Sequence, residues 1–113
     1  MLKQYDLEDR TFKFAKDIRD FTKELSKNIA NFEYSRQLIR SSGSVAANYI
    51  EANEGLSKKD FLLRIRICKK EVKESRLWLK LLEVSDVDRQ QQLIIEATEL
   101  LKIFSSIVIK VAN

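Results

Sequence analysis

SKKDFLLRIRICKKEVKESRLWLK, residues 57–80, is the stretch on which the fold turns. Phe61, Ile65, Cys68, Val72, Trp78 and Leu79, continued by Leu82, recur at helical intervals and share one broad face of an α-helix. Ser57 stands where that helix begins: with Asp60 three residues on, it forms a capping-box-like pattern in which its hydroxyl accepts from a first-turn amide. The period breaks at Glu83-Val84-Ser85-Asp86, and Ser85 with Asp88 repeats the capping pattern for the next helix. Roughly 20 residues of uninterrupted helix are about 30 Å long, the length of an element in a helical bundle.

On either side the same period continues. Leu7, Phe14 and Phe21, with Ile18, Leu25 and Phe32 offset by four, place a first helix from about Leu7 to about Asn28. A second starts after Asn31, a good N-cap type, carries Tyr34, Leu38, Val45, Tyr49 and Ala52 as its apolar stripe, and is closed by Gly55. The fourth runs to about Val111, with Leu93, Ala97, Leu100, Phe104, Ile107 and Val111 in one stripe and Ile94, Leu101 and Val108 in a second beside it. A helix apolar over more than one face must bury more than one, inside its own bundle or against a second subunit. Short connections make sequential helices antiparallel, so the expected fold is all-α: an antiparallel up-and-down four-helix bundle, one domain over residues 1–113.

Composition agrees with this and narrows the function. Hydrophobic residues at 44% and charged residues at 34% are the balance of a folding chain, and the absence of proline with only two glycines leaves too few turns for a sheet protein. No apolar run reaches the roughly 18 to 20 residues of a membrane span, and Met1-Leu2-Lys3-Gln4-Tyr5-Asp6 lacks the apolar core of a signal peptide, so the expected location is cytoplasmic and no membrane partner is expected. Cys68 is the single cysteine and there is no histidine, which removes intrachain disulfides, thiolate zinc sites and the commonest general base. Glu51, Glu71 and Glu74 are available carboxylates, but no Glu-x-x-His pair or glycine-rich phosphate loop accompanies them. No enzyme activity, no catalytic residue, no metal and no cofactor are expected. Cys68 and Trp78 lie at helical spacing on the apolar face and read as core.

The second helix is less ordinary. Ser41-Ser42-Gly43-Ser44-Val45-Ala46-Ala47-Asn48 is a run of small side chains in mid-helix, where glycine costs about 1 kcal/mol against alanine. Close packing against a neighbouring helix would compensate. Beside the apolar stripe runs a polar one, Gln37, Ser41, Ser44, Asn48 and Glu51. It is either a solvated face or a hydrogen-bonded seam between helices, since Arg64, Glu71 and Ser75 fall inside the apolar arc of the third helix and need partners there.

Two long stretches, Gln37-Leu38-Ile39-Arg40-Ser41-Ser42-Gly43-Ser44-Val45-Ala46-Ala47-Asn48 and Lys70-Glu71-Val72-Lys73-Glu74-Ser75-Arg76-Leu77-Trp78-Leu79, carry a resemblance. With Gly55 and Phe61, they make the chain similar over nearly its whole length to the four-helix bundle proteins encoded in 23S rRNA intervening sequences. One departure is Asn48-Tyr49-Ile50-Glu51-Ala52-Asn53-Glu54-Gly55, longer than the Asn-Ile-Ala-Glu-Gly of many relatives. The resemblance implies an antiparallel bundle assembled as a homopentameric ring. One branch of that family, the accessory variability determinant protein of diversity-generating retroelements, is a basic ring that works with a reverse transcriptase and nucleic acid; nothing in this sequence assigns that role here.

Charge is concentrated. Lys58 to Lys80 holds nine basic and three acidic residues, a balance of +6 against +4 for the chain. Lys59, Arg66, Lys69, Lys70, Lys73, Arg76 and Lys80 fall in an arc of about 120° opposite Phe61, Val72 and Leu79. Leu62 and Leu77 point into the same arc, so a neighbouring helix or subunit can cover part of it. A concentrated positive stripe is the footprint of phosphate binding. Two readings stay open: a homo-oligomer that binds RNA or DNA through this arc, or a structural or adaptor ring that docks a protein partner and uses its charge for solubility.

Overall fold

Four helices account for nearly all of the chain because four apolar periods are separated by three short breaks. The computed structural model describes residues 4–55 and 57–113; Met1–Lys3, part of the stretch read above for a signal peptide, lie outside it. The helices are α1 (Gln4–Thr22), α2 (Ile29–Asn53), α3 (Lys58–Leu81) and α4 (Val87–Ala112). Each packs on its neighbour in sequence, α2 on α3 most extensively, and α4 returns to touch α1 along a thin side. This is the antiparallel four-helix arrangement, 44 Å long and 25 by 20 Å across. None of the described helices is long and apolar enough to cross a membrane.

The core follows the stripes. Leu7, Phe14, Ile18 and Phe21 of α1 meet Leu38, Val45 and Tyr49 of α2, Ile65, Cys68, Val72 and Leu79 of α3, and Leu93, Ala97, Leu100 and Phe104 of α4. Thr11 completes the α1 stripe; it is buried, which its helical position permits because its hydroxyl donates to the Glu8 carbonyl at 3.0 Å. On α4, Ile94, Leu101 and Val108 are half-buried against the same core, so the bundle itself absorbs most of the second apolar stripe.

Several boundaries differ from the sequence expectation, each for a local reason. The first helix stops at Thr22 rather than Asn28, and Phe32 belongs to α2, where it is exposed. The loop breaks the helical phase, so the heptad match to Leu25 and Phe32 was accidental, although Leu25 still packs against the core. Asn28, not Asn31, caps α2, accepting from the Asn31 amide at 2.8 Å. Asp86, not Ser85, caps α4, accepting from Arg89 N–H at 3.0 Å. Ser57 caps α3 as expected, accepting from Asp60 N–H at 3.1 Å. At the α2–α3 corner a Cβ on Gly55 would fall 2.9 Å from the Ala52 carbonyl oxygen, so only glycine fits without a shift.

The small-residue run of α2 splits between two faces. Ser41, Ser42 and Val45 are buried, whereas Gly43 and Ala47 face out, and Ala47 therefore cannot be part of a packing surface inside this bundle. A Cβ at Gly43 would meet nothing within 4 Å. Gly43→Ala is accordingly expected to stabilise the isolated bundle by about 0.5 to 1 kcal/mol, read as a raised melting temperature.

Candidate nucleic-acid interface

Helix α3 presents its cations on the side away from the core, as 3.6-residue periodicity demands. Lys59, Arg66, Lys70, Lys73 and Lys80 are exposed, and Lys69 and Arg76 are half-buried. The last two sit where α4 closes over the edge of the arc: Leu62 is buried there, and Arg76 Nη1 donates to Thr98 Oγ1 at 3.2 Å. Of the seven arc residues, Arg76 is thus partly committed to holding α4, which its sequence position on the exposed arc did not reveal. Arg66, Lys69, Lys70 and Lys73, with Glu74, line an open depression on this face. Their spacing of three, four and seven residues stacks four cations over about two turns, roughly 10 Å.

These cations differ in their partners from most of the other described cations. Arg10 pairs with Glu96, Lys13 and Arg89 with Asp17, Arg19 and Lys23 with Asp20, Arg36 with Glu33, and Lys102 with Glu99. Among the described residues, none of the nine cations of α3 is within ion-pair distance of a carboxylate. The cause is α2. Arg40 reaches across to the buried Glu71, donating to both of its carboxylate oxygens at 3.1 and 3.2 Å, and to Glu74 at 3.5 Å. The hydrogen bonds to Glu71 raise the Arg40 pKa further above its ordinary value, so the guanidinium is permanently charged.

Arg40 belongs to a polar seam along the α2–α3 contact. Ser41 and Ser75 share a hydrogen bond at 2.7 Å, Ser44 Oγ donates to Glu71 at 3.1 Å, Asn48 Nδ2 donates back to Ser44, and Arg64 donates to Asn48 Oδ1 at 3.0 Å. Six of the eight residues named from sequence are therefore joined: Ser41, Ser44, Asn48, Arg64, Glu71 and Ser75. Gln37 and Glu51 are not; both are exposed, having rotated past the contact onto the outer side of α2. Arg40 was missed because an arginine outside the polar stripe looks like an ordinary surface residue.

Cys68 and Trp78 take structural places. Cys68 is fully buried, with Sγ donating to the Val45 carbonyl at 3.5 Å, and burial pushes its thiol from an ordinary value of 9.0 up to about 12. Above pH 9.0 the unfolded chain ionises this thiol while the folded one holds it protonated, so stability is expected to fall as pH rises toward about 12. Native Cys68 should also resist alkylation at pH 8 and react once urea unfolds the chain, a difference that mass spectrometry reads directly. Trp78 stacks on Tyr34, ring centroids 5.9 Å apart, with its indole N–H buried and unpartnered. It is not available to stack on a base, and the exposed aromatic rings Phe12 and Phe32 lie on α1 and α2.

A protein-family model described as 23S rRNA-intervening sequence protein matches residues 3–106. The chain belongs to this family. Among solved structures, the chain is similar to a protein of unknown function from the S23 ribosomal protein family of Bacteroides thetaiotaomicron VPI-5482. The two are 29% identical with a TM-score of 0.77, over 89% of this chain and 96% of the other. Among curated proteins, none matches the chain. The stretches that carried the family resemblance in the sequence are the two sides of the α2–α3 seam.

Proposed function

We propose that this chain is a non-enzymatic, self-assembling helical bundle that binds nucleic-acid phosphates through α3, without reading bases. The observation that carries this reading is the exposed α3 arc of Lys59, Arg66, Lys70, Lys73 and Lys80, which has no carboxylate partner among the described residues, whereas most described cations of the other helices are paired. Unpaired cations on a rigid helix keep their field for an incoming polyanion and release its counterions on binding. Among the described residues no exposed aromatic ring lies on the basic face, which argues for backbone contact over base stacking.

Self-assembly is supported by the outside of α2. Phe32, Ile39 and Ile50 are exposed there, with Gly43 and Ala47 between them, a surface a second helix could approach closely. A ring of five copies, as the family resemblance implies, would repeat the basic face around its circumference. Light scattering after size exclusion should give a multimer mass, lowered by Ile39→Glu with Ile50→Glu; a monomer at micromolar concentration would remove the ring.

Salt titration tests the binding. Affinity for a labelled oligouridylate and a short DNA duplex should fall linearly in log K against log salt, with a slope of about −0.7 to −0.9 per phosphate neutralised. A protein-docking adaptor, the competing reading, expects no such slope.

A further inference from the structure

Arg40 is the residue outside α3 that engages the acids of α3, and so changes what α3 offers to a ligand. It takes both carboxylates of the α3 body, Glu71 and Glu74, and Glu74 lines the depression formed by Arg66, Lys69, Lys70 and Lys73. Helix geometry gives Glu74 another partner: Lys70 lies four residues before it on the same face. In the folded chain Lys70 and Glu74 are not within ion-pair distance, and the Arg40 guanidinium meets Glu74 from the α2 side at 3.5 Å. The arrangement is a sorting of charge, with acids turned toward the seam and cations left toward solvent.

We propose that Arg40 is a positioning residue for the phosphate-binding face: by engaging Glu74 it neutralises the single carboxylate in the four-cation depression and leaves Lys70 free for a nucleic-acid phosphate. This rests on the reading that α3 binds phosphate. Arg40 acts through Glu74 and is distinguished by that from a guanidinium that touches the ligand itself. Its planar fork suits the task, since it bonds two oxygens of Glu71 and still reaches Glu74, which a lysine ammonium could not match in geometry.

A double-mutant cycle on the full chain, with a fluorescein-labelled oligouridylate at fixed salt, tests this. Arg40→Met should weaken binding about tenfold, by exposing Glu74 and letting it pair with Lys70. Glu74→Gln should raise affinity only about twofold in the unmodified chain but about tenfold in the Arg40→Met background, a non-additivity expected only of groups that interact. Arg40→Met with Glu99→Gln, a change on α4, restores the same net charge of the chain and should stay as weak as Arg40→Met alone. Because losing Arg40 strips a partner from buried Glu71, the same cycle is run with Arg40→Lys, and melting curves accompany every variant. Equal effects of Glu74→Gln in both backgrounds, or equal weakness of the two double variants, would overturn the positioning role of Arg40. If the unmodified chain binds neither oligouridylate nor duplex, the α3 reading falls, and the role of Arg40 with it.

Discussion

Replacing Asn31 by leucine should destabilise the protein by about 3 kcal/mol or more, although the two side chains are close in size. Asn31 is buried at one end of the bundle. Its Nδ2 donates to the Ser26 carbonyl at 3.0 Å and the Glu83 carbonyl at 2.9 Å, and its Oδ1 accepts from Glu83 N–H at 2.9 Å. One side chain thus satisfies backbone groups of the α1–α2 and α3–α4 connections and ties the two together. Leucine would keep the volume and orphan three backbone groups, each costing about 1 to 3 kcal/mol if it stays out of water. Urea unfolding followed by the fluorescence of Trp78, the single tryptophan, measures the loss as a lower midpoint at unchanged slope. A change near 1 kcal/mol, the size of a lost helix cap, would mean that water replaces the side chain and that the two connections are not clamped.

Reversing three charges on α3, Arg66→Glu with Lys70→Glu and Lys73→Glu, is expected to reduce nucleic-acid affinity at least about a hundredfold and the salt slope by about 2 to 3. All three are exposed and none has an ion-pair partner, so the fold should lose no more than about 1 kcal/mol, chiefly from new like-charge neighbours four residues apart. The set avoids Lys69 and Arg76, which looked equally free in the sequence. Reversing Arg76 would break its bond to Thr98 and disturb the α3–α4 contact, mixing a folding effect with a binding one. Binding that persists with the original slope, in a variant of unchanged helicity and mass, would exclude α3 as the contact surface.

Much of this protein is determined by its sequence alone. The four apolar periods, their antiparallel order, the Ser57 cap and the basic arc all depend on local spacing, because helical phase is a property of neighbours three and four residues apart. The polar seam was half legible for the same reason: Ser41, Ser44, Glu71 and Ser75 each sit on a face where an unpaired polar group would be costly, so partners had to exist. Which partner each meets depends on the register and rotation of α2 against α3, and those are set by packing of the whole core. Periodicity within one helix carries no information about the other. The same ignorance misplaced Gln37 and Glu51, carried the α1 stripe across a loop to Phe32, and took Asn31 for a cap when Asn28 had the same chemistry three residues earlier. Arg40 shows the limit most plainly: nothing along the chain links it to residues 31 and 34 positions away, and only the approach of two helices puts its guanidinium between two carboxylates and leaves the cations of α3 unpaired.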